Sequence, residues 1–262
     1  MAKFITLCSS SGGNSEYIES DGSGVLIDAG LNCKQLCLAL DYFGIDEKKI
    51  EAIFVTHEHS DHACGVKVFA SKYSIPVYAT RGTIEGMKEK NYLSDKVDYR
   101  TISKNGAELS SMIVKSFPTS HDTYESCGFT IETGGETKIS ILTDTGIVTR
   151  QMFDSVKGSD LVLLESNHDV KMLRYGPYPQ SLKDRICSRL GHLSNDDSAK
   201  VAAGLVETGT SRIVLAHLSE HNNTPEKAFN TTNNALLRRG FSNSDYILTV
   251  APHGRAEEII YL

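Results

Sequence analysis

Short runs of β-branched and other apolar residues alternate along the chain with segments in which apolar residues recur at helical spacing. Bounded runs of this kind are typical of buried strands. The close spacing of the three runs in the middle of the chain indicates hairpins, and so a sheet that is not purely parallel. The predicted strands are 25–28, 52–56, 76–79, 112–117, 128–132, 138–142, 161–164, 212–216, 246–250 and 257–261.

Two helices have clear boundary signals. Ser194 can cap a helix whose first turn holds Asp196 and Asp197, and Gly209 follows its end. A second helix begins at Pro225, a residue that is favoured at the first helical position. Strands and helices mixed in this way predict an α/β (α+β) protein in which helices pack on sheets. The chain has no internal repeat or long linker, so we expect one domain over 1–262.

Composition narrows the classes that remain. The 262 residues are 40% hydrophobic and 23% charged, which excludes collagen-like, disordered and coiled-coil proteins. No apolar run approaches the roughly 20 residues that span a bilayer, and the N-terminus does not resemble a signal peptide. We therefore expect a cytoplasmic protein with no membrane partner. The net charge of −6 argues against non-specific binding to polyanions but leaves room for a local basic groove.

Three histidines and an aspartate follow the predicted strand 52–56 within six positions: His57, His59, Asp61 and His62. A solvated polar loop has no need of this density of imidazoles. Alternate residues after a strand point the same way, so His57 and His59 can bind one metal ion. Asp61 and His62 can then face a second ion. Imidazole and carboxylate ligands suit Zn, Mn or Fe.

Further candidate ligands follow other predicted strands. His121 follows 112–117, Asp144 follows 138–142, His217 follows 212–216, and Asp28 ends 25–28. Taken singly, each is more typical of a hydrogen-bonded loop residue. Together they occur where strands would deliver them to one rim, which favours a shared metal site.

This ordered set resembles the five motifs of the metallo-β-lactamase fold superfamily, from about residue 5 to about residue 220. The resemblance implies a four-layer αβ/βα sandwich with two metal ions at one edge of its sheets. It also implies a division of the ligands. The first ion would take His57, His59 and His121; the second would take Asp61, His62 and His217; Asp144 would bridge them, and Asp28 would orient ligands.

A dinuclear site of this kind can hydrolyse lactams, thioesters, lactones or phosphodiesters. The interval between Asp144 and His217 is too short for the long insertion of β-CASP nucleases. The chain after His217 leaves little room for the helical domain of glyoxalase-like thioesterases. No substrate arm of the ribonuclease Z type is evident.

Four segments, 9–15, 165–169, 175–179 and 191–195, are similar to the YycJ/WalJ family. The resemblance implies a 5′-to-3′ exonuclease that acts on double-stranded DNA and is linked to mismatch repair in bacteria. Asp61 would orient the attacking hydroxide or take its proton. His192 and His168 are each a candidate proton donor, phosphate ligand or structural residue, and a helix N-terminus near His192 would disfavour its charged form.

Two segments could bind the substrate. The stretch 171–189 is the most basic of the chain, contains two tyrosines, and suits DNA backbone contact, although a solvated surface helix is the alternative. The Gly-rich segment 9–15 could bind an anion through backbone N–H groups, or be a plain hairpin turn. The candidate substrate-binding residues are Ser11, Asn14, Lys171, Arg174, Arg185 and Arg189.

The sequence thus predicts a dinuclear-metal-dependent phosphodiesterase, most specifically a DNA exonuclease with no organic cofactor. The alternative enzyme is a small-molecule hydrolase of the same fold, acting on a thioester, lactone or cyclic phosphodiester. A metal-binding regulatory module is disfavoured, because the inferred ligands leave open coordination positions. The sequence leaves open the native metal and the oligomeric state.

Overall fold

The strands of the computed structural model form two mixed sheets. The structure describes residues 1–134, 136–252 and 258–262, and every element named here lies in those ranges. The strands are β1 (Ala2–Ser10), β2 (Gly13–Ser20), β3 (Ser23–Ile27), β4 (Ile50–Phe54), β5 (Val77–Ala79), β6 (Tyr99–Thr101), β7 (Ala107–Glu108), β8 (Met112–Pro118), β9 (Cys127–Thr133), β10 (Lys138–Leu142), β11 (Leu161–Glu165), β12 (Arg212–Ala216), β13 (Ile247–Val250) and β14 (Ile260–Tyr261).

Over the described residues each sheet has seven strands, in the orders β14-β1-β2-β3-β4-β5-β6 and β13-β12-β11-β10-β9-β8-β7. Strands β3 to β6 are parallel, as are β10 to β13, while β1-β2-β3 and β7-β8-β9-β10 are antiparallel. The hairpins predicted in the middle of the chain are therefore confirmed. Because β8 and β10 both pair antiparallel with β9, they run in the same direction and end at the same edge.

Helices occupy most of the connections between strands. Ser194 caps α8 by accepting a hydrogen bond from the Asp197 N–H, and Thr224 caps α9, which begins at Pro225 as predicted. The helices are α1 (Cys33–Tyr42), α2 (Ser60–Ala63), α3 (Val66–Tyr73), α4 (Arg81–Glu89), α5 (Arg150–Val156), α6 (Val170–Tyr175), α7 (Gln180–Ile186), α8 (Asn195–Glu207) and α9 (Pro225–Arg238).

Neighbouring residues on a strand serve different layers, because side chains alternate between the faces of a sheet. On β4, Phe54 packs between the two sheets, whereas Ile53 packs against the helices outside the first sheet. On β11, Leu163 packs between the sheets and Leu164 packs outward against α8 and α9. The layers are thus helix, sheet, sheet and helix, which confirms the predicted αβ/βα sandwich.

Several elements go beyond the sequence-based prediction, among them β6 and β7, which it did not include. The N-terminal segment forms the long hairpin β1-β2. The sequence-based prediction included a possible turn at 9–15 but not the two strands that it joins. These strands are buried along almost their whole length, so the alternation that marks a half-exposed strand is missing. The stretch 171–189 forms two short helices, α6 and α7, joined by a turn. Within the predicted strand 257–261, Glu257 lies outside the described residues.

Among the helices that the structure describes, none is both long and apolar enough to cross a membrane.

Candidate metal centre

Five strands end at one edge of the sandwich, and the residues that follow them converge there. Asp28 follows β3, His57 follows β4, and His121, Asp144 and His217 follow β8, β10 and β12. Three of them have a left-handed backbone: φ is 62° at Asp28, 54° at Asp144 and 55° at His217. Such strain in non-glycine residues is concentrated at functional sites.

The three histidines predicted for the first ion form one set of donors. His57 Nε2 lies 3.1 Å from His59 Nδ1, and His121 Nε2 lies 3.3 Å from the same His59 atom. A tetrahedral ion with metal–nitrogen bonds of about 2.0–2.1 Å requires nitrogen–nitrogen separations of about 3.3 Å. The observed spacings are therefore those of ligands to a single ion.

The second donor set lies beside the first and shares a carboxylate with it. His62 Nε2 lies 3.4 Å from Asp61 Oδ2 and 3.4 Å from Asp144 Oδ2. Asp144 Oδ1 lies 3.3 Å from His217 Nε2 and 3.8 Å from His121 Nε2. Asp144 thus has an oxygen within reach of each set, which is the geometry of a bridging ligand.

The donors fit divalent cations by their chemistry as well as their spacing. Asp144 Oδ2 is buried and, among the described residues, has no hydrogen-bond partner, an arrangement that is costly unless a cation satisfies it. Burial lowers the pKa of His57 well below its usual value and that of His59 to about 4, so both rings are neutral as ligation requires. The residues present therefore suit two divalent ions.

Hydrogen bonds behind the ligands fix the orientation of their rings. Asp28 accepts hydrogen bonds from the Thr56 N–H and hydroxyl, both at 2.8 Å, and from His62 Nδ1 at 2.7 Å. His121 Nδ1 lies 3.2 Å from the Gly191 carbonyl oxygen. In each ring the other nitrogen then faces the neighbouring donor atoms, an arrangement typical of metal-binding histidines.

The β1-β2 hairpin supports His217. Ser9 Oγ accepts a hydrogen bond from the His217 N–H at 2.9 Å, and Asn14 Oδ1 lies 3.2 Å from His217 Nδ1. The sequence predicted that Asn14 contacts the substrate. In the structure Asn14 is buried, and its side chain contacts the candidate metal ligand His217 instead. Of the two substrate-binding residues predicted in this hairpin, Ser11 at its tip lines the cleft above the metal ligands and Asn14 does not.

The same region requires a close approach of two backbones. A Cβ atom at Gly30 would lie 1.7 Å from the Asp61 carbonyl oxygen. Glycine at position 30 therefore lets the segment after β3 pack directly against the turn that carries Asp61 and His62.

Glu165 is the main site residue that sequence analysis did not identify. It is fully buried at the end of β11; Oε1 lies 2.7 Å from His192 Nδ1, and Oε2 accepts hydrogen bonds from the Thr145 and Leu193 N–H groups. Burial lowers the pKa of His192, but the carboxylates of Glu165 and Asp144 together outweigh it and raise that pKa to about 9. The expected effect of the nearby helix N-terminus is therefore overridden. The sequence signal that could have identified Glu165 was its position as a charged residue at the end of an apolar run.

The two candidate proton donors occupy different environments. His192 lines the cleft, and its ring stacks on that of His217 with centroids 5.4 Å apart. His168 is buried outside the cleft lining, and its Nδ1 has no hydrogen-bond partner among the described residues. Burial lowers the pKa of His168 to about 4. The geometry supports His192 over His168 for contact with substrate.

The cleft above the ligands has a volume of about 220 Å³. Metal-site residues form one side, and the arm that contains α6 and α7 adds Tyr178, Leu182, Arg185 and Ile186. Of the predicted basic residues, Arg185 reaches the cleft. Lys171, Arg174 and Arg189 are exposed and do not line it. A larger cavity of about 840 Å³ between α8 and α9 contains none of the candidate metal ligands.

Arg185 has a protein partner in this structure. Its guanidinium forms a two-pronged ion pair with Asp122, the residue after His121, with Nη2 3.0 Å from Oδ1. Arg189 lies close by, because the Ser120 hydroxyl donates a hydrogen bond of 2.8 Å to its carbonyl oxygen. The Arg185 side chain and the Arg189 backbone therefore lie beside the loop that carries His121.

Comparison with known proteins gives a consistent result. The family model described as "Beta-lactamase superfamily domain" matches residues 24–218. The chain is 36% identical over 246 residues to the exodeoxyribonuclease YycJ of Bacillus anthracis, covering 91% of this chain and 90% of that protein. It is 39% identical over 240 residues to the exodeoxyribonuclease WalJ of Streptococcus pneumoniae, covering 90% and 88%.

Solved structures agree on the fold. The metallo-β-lactamase fold protein YhfI of Bacillus subtilis superimposes with a TM-score of 0.73 at 17% identity, covering 98% of this chain and 100% of that one.

Proposed function

Because the chain belongs to the metallo-β-lactamase fold superfamily and to its YycJ/WalJ-like family, we propose that it is a metal-dependent 5′-to-3′ exonuclease acting on double-stranded DNA. The observation that carries this proposal is the pair of donor sets joined by Asp144 at the base of a cleft that Arg185 and His192 also line. A phosphodiester at a strand end is a substrate that these groups suit.

The two donor sets would hold two divalent cations: His57, His59 and His121 on one side, Asp61, His62 and His217 on the other, with Asp144 between them. Such cations supply a strong nucleophile near neutral pH and neutralise charge on a phosphate. Asp61 is half-buried at the cleft, so its carboxylate can orient an attacking water and take its proton.

Hydrolysis forms a bond between phosphorus and the water oxygen and breaks the bond between phosphorus and the 3′-oxygen of the departing nucleotide. That 3′-oxygen needs a proton as it leaves. His192 can donate it, since Glu165 holds Nδ1 and leaves Nε2 free for the cleft. Glu165 also stabilises the charged form of the ring.

The proposal is tested with duplex DNA labelled at the 5′ end or the 3′ end, incubated with protein loaded with Zn²⁺, Mn²⁺ or Fe²⁺ in turn. We expect labelled mononucleotide to appear at once from the 5′ label and only late from the 3′ label. A chelator should abolish release, and restoring the metal should recover it. No release from any duplex, together with rapid cleavage of a thioester or lactone, would rule out the proposal.

Positive charge near the cleft gives a further prediction. Arg185→Glu with Arg189→Glu should lower the affinity for duplex DNA and reduce the slope of log K against log salt by about one for each phosphate that the protein no longer neutralises. The matched control is Arg238→Glu with Arg239→Glu, the same charge change at the far end of α9, where Arg239 is ion-paired with Glu207 as Arg185 is with Asp122. Binding by fluorescence anisotropy at several salt concentrations measures both quantities. An equal decrease in the control variant would show that net charge alone matters.

Three finer points stay predictions: the role in mismatch repair that the resemblance implies, the cytoplasmic location, and the use of Zn, Mn or Fe as the metal.

A further inference from the structure

The arm between β11 and α8 adds an apolar surface to a cleft that is otherwise polar. Tyr178, Leu182 and Ile186 line the cleft together with the metal-site residues. Metal binding, proton transfer and phosphate contact use none of these three side chains. An apolar surface beside a phosphodiesterase centre calls for an apolar part of the substrate, and in DNA that part is the face of a base.

The backbone around Tyr178 is held firmly. Pro177 and Pro179 flank it. Each proline fixes its own φ angle, and Pro179 also restricts the backbone of Tyr178, the residue before it. Gly176 packs so closely that a Cβ atom there would lie 2.6 Å from the Met172 carbonyl oxygen and 2.7 Å from Asn222 Oδ1. The turn is therefore seated on the loop that follows His217.

Side chains add to this support. Lys183 Nζ donates hydrogen bonds to the carbonyl oxygens of Arg174 at 3.0 Å and Gly176 at 2.8 Å, which ties α7 to the end of α6. The ring of Tyr178 meets the ring of His221 edge-on, with centroids 5.9 Å apart. One T-shaped neighbour covers at most one face of a ring, and Tyr178 also lines the cleft, so its ring can serve as a preorganised stacking platform.

The two tyrosines of the arm differ in position. Within the residues that the structure describes, the Tyr178 hydroxyl makes no hydrogen bond. The position of the ring is therefore not fixed by a hydrogen bond of its hydroxyl. Tyr175 has 79% of its surface exposed, carries Arg174 over its ring and does not line the cleft. Tyr175 is thus a matched comparison for Tyr178.

The size of the cleft limits what can enter. Its volume of about 220 Å³ is below the 300 Å³ or more of typical small-molecule sites. A cleft of this size suits a single strand end better than a base pair. We therefore expect the terminal nucleotide to separate from its partner strand before its phosphodiester reaches the ligands.

We propose that Tyr178, with Leu182 and Ile186, forms a subsite that stacks the unpaired base of the 5′-terminal nucleotide. This inference rests on the exonuclease function proposed above. Stacking is available to all four bases, so the subsite confers no sequence preference, but it favours ends that open easily. A terminal mismatch should be removed faster than a terminal G·C pair.

The test combines a variant with a modified substrate. Duplexes carry at the 5′ end either a mismatched normal nucleotide or an abasic one, so that neither end has a base pair to open. The value of kcat/KM is measured for wild type, Tyr178→Ala, Tyr178→Phe and Tyr175→Ala. In the wild type, loss of the base should lower kcat/KM by about tenfold, the effect of one base–aromatic stack. Tyr178→Ala should show the same loss on the normal end and no further loss on the abasic end.

The control variants separate stacking from other roles. Tyr178→Phe should behave as wild type, because it keeps the ring; a loss equal to that of Tyr178→Ala would assign the effect to the hydroxyl and overturn the stacking subsite. Tyr175→Ala should retain the wild-type response to the abasic end. If Tyr178→Ala fails to fold, as judged by circular dichroism, Tyr178→Leu replaces it.

Two negative results have different meanings. The subsite is overturned if the losses from Tyr178→Ala and from the abasic end simply multiply, or if the wild type cleaves both ends at equal rates. Either result leaves the nuclease function intact. A wild-type protein that releases no nucleotide from any end overturns the proposed function itself.

Discussion

Replacing Asp144 with asparagine should lower nuclease activity by about a thousandfold or more, beyond the roughly 10- to 100-fold cost of losing a residue that only supports a ligand. Asp144 has a carboxylate oxygen near a ligand of each donor set, His121 on one side and His62 on the other, and asparagine offers only one comparable oxygen. Asparagine also tolerates the left-handed backbone at this position, so the fold should persist. Metal content by elemental analysis should fall from two ions per chain to one or fewer.

Asp21→Asn is the matched control for this change. Asp21 also has a left-handed backbone, with φ of 49°, but it is exposed at the β2-β3 turn, away from the centre. This variant should keep wild-type metal content and activity. Thermal melting provides a second readout, since metal binding to the native state raises its stability and this increase should be smaller for Asp144→Asn. An Asp144→Asn protein with two ions and near-normal turnover would contradict the bridging assignment.

Replacing His192 with alanine should lower kcat by about 10²- to 10⁴-fold on DNA with a normal 3′-oxygen leaving group. The loss should largely disappear on DNA whose scissile linkage has sulfur in place of that 3′-oxygen, because a thiolate leaves without being protonated. Single-turnover rates on the two substrates measure the effect. Glu165→Gln should show the same dependence on the leaving group to a smaller extent, since Glu165 acts through His192.

His168→Ala distinguishes the two candidate histidines. Because His168 is buried outside the cleft lining, its loss should reduce stability but leave the ratio of rates on the oxygen and sulfur substrates unchanged. If instead His168→Ala shifts this ratio and His192→Ala does not, the proton donor has been assigned to the wrong residue. Metal content should remain normal in both variants, which separates proton transfer from ligand loss.

Much of the centre could be predicted because its ligands are local features of the sequence. His57, His59, Asp61 and His62 lie in one turn after a buried strand, and His121, Asp144 and His217 each follow a strand of their own. Strand ends can be recognised from apolar runs, and strands that run in one direction end at one edge. The resemblance then supplied the order of the motifs. The packing of helices on sheets was predictable for the same reason, and the resemblance implied the four-layer order.

The residues that support the ligands were harder to predict. Glu165 and His192 are separated by 27 positions, and Asn14 and His217 by 203, so no spacing rule connects them. Asn14 illustrates the consequence. As part of a Gly-rich segment it suggested contact with substrate, but the β1-β2 hairpin buries its side chain beneath the centre, where it contacts His217.

The sequence by itself therefore determined that helices pack on sheets and which residues are candidate metal ligands, because short-range periodicity and strand ends specify both. The four-layer order was implied by the resemblance. Tertiary structure alone decided that Glu165 raises the pKa of His192, that Asn14 faces His217, and that Tyr178 lines the cleft while Tyr175 does not. The physical reason is that charge, hydrogen bonding and burial act over a few ångströms in space. Those distances exist only once segments far apart in the chain have packed together.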